Sequence, residues 1–196
     1  GFYKYDPSAS LRAGSKTFQN FSEKDGLIGT QMNAGMEDKE GNIWMGTNKG
    51  VSVYDGKTFK NFQGEKDGLQ SDSVTAIIQD RKGKIWMGGH AGGTIWNGKN
   101  FSHFELKGSV SDFYVWYLFE DSRENIWMGT YLGGLFRYDG KKYEDFSKKL
   151  NLKSETYLAI DEDKDGNLYF GSFDGVYIYD PATEKVSLIS EKNGLS

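Results

Sequence analysis

The chain repeats itself at a fixed spacing. The segment Gly41-Asn42-Ile43-Trp44-Met45-Gly46-Thr47 recurs as Gly83-Lys84-Ile85-Trp86-Met87-Gly88-Gly89. It recurs again as Glu124-Asn125-Ile126-Trp127-Met128-Gly129-Thr130 and as Gly166-Asn167-Leu168-Tyr169-Phe170-Gly171-Ser172. The central aromatics stand 42, 41 and 42 residues apart. A unit of this length must bury its apolar face on its neighbours, which is how propellers and solenoids are built. Helical repeats need a 3.6-residue apolar period, and no stretch of this chain shows one. The Gly-His and Trp-Asp signatures of WD-type propellers are also missing.

Each unit reads as four short strands. The first is apolar and ends on acid: Val74 to Asp80, Val115 to Asp121, Tyr157 to Asp163. The second is the Ile-Trp-Met run. Apolar on consecutive residues, it needs cover on both faces, which a blade sandwiched between two blades provides. The third runs Val51 to Asp55, Gly93 to Asn97, Leu135 to Asp139 and Val176 to Asp180. The fourth runs Phe59 to Phe62, Phe101 to Phe104, Tyr143 to Phe146 and Val186 to Ile189, mixing aromatics with polar residues as an outer edge strand should. The Asp-Gly turns at 55–56 and 139–140 supply the positive φ that tight hairpins need. With 26 Gly, 2 Pro and 15% aromatic residues, composition fits many tight turns around a ring-rich interior. The expected fold is therefore all-β: a β-propeller of four-stranded antiparallel blades, with Trp44, Trp86, Trp127 and Tyr169 as the core repeated between blades.

About four and a half blades are present, all in one propeller domain. Residues 1–27 form a half blade of third and fourth strands, with an insertion from Pro7 to Gly14 that reads as a long loop. Blades follow at 28–69, 70–110, 111–152 and 153–196. The ring does not close within these units, so a larger ring or a second chain is expected to complete it. An open blade face would favour self-association.

Several function classes fall away. The net charge is −4, with scattered Lys and Arg, so the footprint of a nucleic-acid binder is missing. There is no Cys, which removes disulfides and thiolate metal sites. No apolar run is long enough to cross a bilayer, and no membrane contact is expected of this segment. No G-x-S-x-G, H-E-x-x-H or phosphate loop is present, and no cofactor is expected.

The combination of Asp67-Gly68-Leu69, Val74-Thr75-Ala76-Ile77, Asp80, Gly83 and Ile85-Trp86-Met87-Gly88 resembles the two-component regulator propeller repeat. The Tyr-Asp-Gly-Lys endings at 54–57 and 138–141 belong to the same resemblance. What it implies is a sensor propeller from the extracytoplasmic half of a bacterial signalling protein, periplasmic or extracellular. Such propellers often have seven blades and bind carbohydrates. The family has no shared catalytic residues, so the implied role is recognition rather than catalysis. Blade 2 departs from the pattern at Gly88-Gly89-His90 and Asn97-Gly98, which reads either as a special binding surface or as drift.

Ligands of propellers bind where loops converge at one end of the channel. The second-to-third-strand loops place Asn48, His90, Tyr131 and Phe173 at one equivalent position. Rings with amide and imidazole groups suit a sugar, whose C–H face packs on an aromatic while polar groups fix its hydroxyls. They read equally as ordinary loop residues. Tyr114 and Trp116 are large where earlier repeats have Gln31, Asn33, Ser73 and Thr75, and they either shape the channel mouth or fill core. Asp161, Asp163 and Asp165 open like a calcium loop, but the twelfth position is Ser172, and the segment coincides with the hairpin turn of the repeat. The turn is therefore the favoured reading, with calcium the weaker one. Of the two histidines, His103 is expected to be exposed on an outer strand. The expected partner is a small carbohydrate-like ligand or a protein. A propeller-fold lyase or hydrolase using carboxylates or His90, or a purely protein-interaction propeller, are the alternatives.

Overall fold

The structure is a computed structural model and describes residues 2–5, 18–108, 110–192 and 194. The insertion expected at Pro7 to Gly14 lies outside the described residues. Four four-stranded antiparallel sheets follow a two-stranded one. The half blade pairs β1 (Phe2–Tyr5) with β2 (Phe18–Phe21). Blade 1 is β3 (Met32–Glu37), β4 (Ile43–Thr47), β5 (Gly50–Tyr54) and β6 (Phe59–Phe62). Blade 2 is β7 (Ala76–Gln79), β8 (Ile85–Gly89), β9 (Gly92–Trp96) and β10 (Phe101–Glu105). Blade 3 is β11 (Tyr114–Glu120), β12 (Ile126–Tyr131), β13 (Leu135–Tyr138) and β14 (Tyr143–Asp145). Blade 4 is β15 (Tyr157–Glu162), β16 (Leu168–Ser172), β17 (Gly175–Asp180) and β18 (Lys185–Ile189). In every blade the strands pair in chain order, so each is a simple meander. The ring is partial: four blades and a half-blade. No helix among the described residues is long and apolar enough to cross a membrane.

The repeated aromatics hold the stack together. Trp44, Trp86 and Trp127 are buried, and each packs against the next blade. Trp44 sits with Val74, Ile77, Ile85 and Met87. Trp86 sits with Val115, Leu118 and Met128, and Trp127 with Tyr157, Ile160 and Phe170. Tyr169 is half-buried, because no described blade covers that face of blade 4. Asp161 lies on the same face. It stands where Met36, Ile78 and Phe119 pack into clusters, and it remains exposed.

Each indole also reaches a carboxylate at the first hairpin turn of its own blade. Trp44 Nε1 donates to Asp38 Oδ2 at 2.7 Å, Trp86 Nε1 to Asp80 Oδ2 at 2.9 Å, and Trp127 Nε1 to Asp121 Oδ2 at 2.8 Å. In blade 4 the Tyr169 hydroxyl donates to Asp163 Oδ2 at 3.0 Å. The same four carboxylates accept the backbone N–H of Asn42, Lys84, Asn125 and Asn167. One Asp therefore closes the turn and satisfies the buried ring N–H, which would otherwise be costly.

The glycine after the Ile-Trp-Met run is set by close approach of the next blade. A Cβ on Gly46 would come within 2.8 Å of Val74 Cγ1, and one on Gly88 within 2.8 Å of Val115 Cγ1. One on Gly129 would come within 2.6 Å of the Tyr157 carbonyl oxygen. On blade 4, Gly171 meets only Ala159 of its own sheet.

The blades are also stitched by side chains. The Lys39 N–H donates to Gln79 Oε1, the Arg81 N–H to Glu120 Oε2, and the Ser122 N–H to Glu162 Oε2, each across one junction. Burial pushes the Glu120 carboxyl above its ordinary range, against the Arg81 N–H and guanidinium.

Two expectations need correction. The fourth strand of blade 3 does not run from Tyr143 to Phe146. It stops at Asp145, which caps α1 (Phe146–Lys149) by accepting the Lys148 N–H at 3.0 Å. The helix turns Phe146 into the core, where its ring lies 4.7 Å edge-on from Trp127 and 5.2 Å from Tyr179. The first strand of blade 2 does not begin at Val74 either. It begins at Ala76, preceded by an irregular approach in which the Val74 N–H already bonds to Thr47 of blade 1.

Candidate functional site

The site is built on the innermost strands and the loops at their ends. In blades 1, 3 and 4 the first strand carries a β-bulge at the same place, leaving Asn33, Trp116 and Leu158 unpaired against the second strand. Thr75 is the corresponding residue of blade 2. A bulge re-aims a side chain. In blades 1 and 2 the residue at this position is a donor that ties the next blade. Asn33 Nδ2 bonds to the Val74 carbonyl at 3.2 Å, and Thr75 Oγ1 to the Val115 carbonyl at 2.6 Å.

In blades 3 and 4 the residues at this position are apolar. Trp116 is 49% exposed and Leu158 41% exposed, with Tyr117 beside them. The inner wall thus divides into a polar half, from blades 1 and 2, and an apolar half, from blades 3 and 4. A groove of about 330 Å³ runs between the inner strands and is lined by Asn33, Thr75, Trp116 and Tyr117 among others.

At the rim, four of the six candidate residues come together. His90 forms a β-bridge with Tyr114, and their rings meet edge to face at 5.3 Å. Tyr114 pairs with Tyr131 across β11 and β12. The Tyr131 ring, 42% exposed, stands 6.5 Å from Trp116. His90 Nε2 lies 3.1 Å from Asp112 Oδ1, both exposed. The result is a run of rings from His90 to Trp116 with a carboxylate at one end. Asp112 was missed from sequence, since nothing in its own repeat position marks it; it enters through its bond to His90.

The other two candidates stand apart. Asn48 is exposed on the equivalent loop of blade 1. Phe173 is 70% exposed on blade 4, over a shallow groove toward the outer edge that includes Asp174, Leu188 and Lys192. Neither joins the cluster at blades 2 and 3.

The glycines of blade 2 have a packing reason. A Cβ on Gly93 would collide with the Met87 carbonyl and come within 2.8 Å of the Phe104 ring. Phe104, itself buried, fills the space that Val51 and Leu135 fill in their own blades, and packs on Trp86 at 5.6 Å. The Gly-rich third strand is thus an internal exchange of bulk. His90 is the part of the departure that reaches the surface.

The acidic turn of blade 4 follows its sister turns. Asp163 takes bonds from Asn167, Asp165 and Tyr169. These bonds, Asn167 foremost, hold its carboxyl down at about 2. Asp161 Oδ1 accepts the adjacent Glu162 N–H. Among the described residues no cluster of three or more His, Asp or Glu could hold a metal ion. His103 is exposed on β10, with Nε2 3.0 Å from the Gly68 carbonyl oxygen.

Comparison with known proteins fits this architecture. Residues 68–91 match the family model described as two component regulator propeller. No curated protein matches the sequence. Among solved structures, the chain is similar to the extracellular domain of a hybrid two-component system from B. thetaiotaomicron. That match has a TM-score of 0.74 at 20% identity, over 88% of this chain and 26% of that one. It is similar to PorZ, a surface component of the type-IX secretion system of Porphyromonas gingivalis, with a TM-score of 0.69 at 16% identity over 90% of this chain and 30% of that one. It is similar also to virginiamycin B lyase from Staphylococcus aureus, with a TM-score of 0.65 at 13% identity over 84% of this chain and 57% of that one. The chain therefore spans about a quarter of the length of the first of these. With its matched repeat packed among three sister copies, the chain is a β-propeller whose residues 68–91 carry the two component regulator propeller repeat.

Proposed function

We propose that this chain is part of a non-enzymatic, extracytoplasmic sensor propeller that binds a carbohydrate-like ligand at the rim where His90, Tyr114, Trp116 and Tyr131 meet. The observation that carries the reading is the unburied run of rings on a rigid inner strand. Trp116 and Tyr131 are exposed where Trp44, Trp86 and Trp127 are buried, and exposed aromatic groups on a fixed scaffold are binding features. Their faces suit the C–H side of a pyranose, His90 and Asp112 supply exposed polar groups at one end of the run, and Asn33 and Thr75 line the groove beside Trp116. The similarity to extracellular sensor domains supports the sensing role and the location.

A thermal-shift screen against an oligosaccharide panel tests this. A ligand that binds the folded state raises the melting temperature in a concentration-dependent way. The shift should vanish in Trp116→Ala and Tyr131→Ala; a hit that both variants retain would remove this face. A second reading is supported by the His90–Asp112 pair and the likeness to a propeller lyase: a lyase or hydrolase centred on His90. Turnover of a panel member that disappears in His90→Ala would establish that reading over the first.

A further inference from the structure

We infer that Asn97 is a site of spontaneous deamidation, and that the turn around it is already built to hold the aspartate that results. The four third-to-fourth-strand turns share one device. Asp55 Oδ1 accepts the N–H of Lys57 at 2.8 Å and of Thr58 at 2.7 Å. Asp139 Oδ1 accepts those of Lys141 and Lys142, both at 2.9 Å. Asp180 Oδ1 accepts those of Ala182 at 2.8 Å and Thr183 at 3.4 Å. In blade 2 the residue is Asn97, whose Oδ1 accepts the N–H of Lys99 at 3.0 Å and of Asn100 at 2.8 Å. Only the carbonyl half of the side-chain amide is used by these two bonds, so an aspartate can replace it without losing either.

The surroundings favour the reaction. The next residue is Gly98, which has no side chain of its own to hinder attack by its backbone nitrogen; its φ is +91°, and a Cβ there would meet nothing within 4 Å. Residues 97 to 100 are all exposed to water. The step is an exchange of bonds without oxidation. The Gly98 nitrogen attacks Asn97 Cγ and forms a cyclic imide. The bond from Cγ to the side-chain nitrogen breaks, and that nitrogen leaves as ammonia with the Gly98 proton. Water then adds at Cγ and reopens the ring to aspartate, or adds at the backbone carbonyl to give the isoaspartyl isomer. The sister asparagines at the other hairpin are poorly placed for this. Asn42, Asn125 and Asn167 precede Ile or Leu, and each side-chain nitrogen donates to the turn Asp.

The test is incubation of the folded protein at mildly alkaline pH, followed by tryptic peptide mapping. The peptide Ile85–Lys99 holds Asn97 as its single amide residue, and Glu124–Arg137 holds Asn125. The second Asn-Gly pair, Asn193-Gly194, makes whole-protein mass unsuitable as the readout. The expected result is the mass gain of an amide-to-acid exchange in Ile85–Lys99, faster with rising pH because the attacking nitrogen must lose its proton, while Glu124–Arg137 stays unchanged. Asn97→Asp should melt no lower than the parent chain. An unchanged Ile85–Lys99 peptide, under conditions where the urea-unfolded chain converts, would overturn the inference. A lowered melting temperature for Asn97→Asp would overturn the claim about the turn.

Discussion

At the residue scale, the turn aspartate does more than its sequence position announces. Replacing Trp86 with Phe keeps the ring and removes its N–H, leaving Asp80 Oδ2 buried without that donor. The expected cost is about 1–3 kcal/mol, the usual penalty for a buried polar group that loses its partner, read as a shift in the urea midpoint. A loss indistinguishable from zero would mean that Asp80 serves the turn alone. The sister carboxylate of blade 4 makes a pH prediction. Asp163 titrates at about 2 when folded, against 3.8 for an ordinary aspartate. Its bonds therefore contribute stability above 3.8 that is lost as pH falls through 2. Carbon-detected NMR titration should show the Asp163 carboxylate still ionised at pH 3, and Asp163→Asn should flatten the acid limb of the stability curve. The indole, the turn Asp and the glycine were all visible as a pattern. That they form one hydrogen-bonded unit was not, because the donor and acceptor lie six residues apart and meet only when the hairpin closes.

At the scale of elements, most strands could be read from the sequence, since β-branched and aromatic runs sit between Gly turns. The misreading at Tyr143 to Phe146 has a physical cause. Tyr143-Glu144-Asp145-Phe146 fits a strand by composition, yet Asp145 is an N-cap and Lys148 and Lys149 follow in the last turn. A four-residue helix leaves no periodic signal to weigh against that. The bulges at Asn33, Trp116 and Leu158 also carry no sequence mark of their own, and they decide which side chains enter the channel. The junction glycines give the prediction for this scale. Gly88→Ala would push a methyl group into Val115, and overpacking of this kind costs about 1–3 kcal/mol. Gly171→Ala, facing no described blade, should cost clearly less by the same urea titration. Equal losses at both positions would mean that the glycine serves the strand and not the junction.

At the scale of the whole molecule, the propeller converts a monotonous repeat into one distinctive surface. Four blades share their core, their turns and their stitches, so difference between them concentrates where the core makes no demand: the bulge position and the second-to-third-strand loop. Sequence comparison within the chain could find those positions, and it singled out Asn48, His90, Tyr131 and Phe173 together. It could not show that His90, Tyr114, Tyr131 and Trp116 converge while Asn48 and Phe173 stand apart, because convergence depends on the bulge and on the β-bridge between blades 2 and 3.

The measurement that bears most directly on the proposed recognition role is isothermal titration of the strongest oligosaccharide hit into the parent protein, Trp116→Ala and Phe173→Ala. Losing the stacked indole should weaken binding by roughly tenfold or more, the equivalent of about 1.4 kcal/mol, with Phe173→Ala near the parent value. Parent-level affinity in a folded Trp116→Ala, or a loss confined to Phe173→Ala, would contradict a ligand seat at blades 2 and 3.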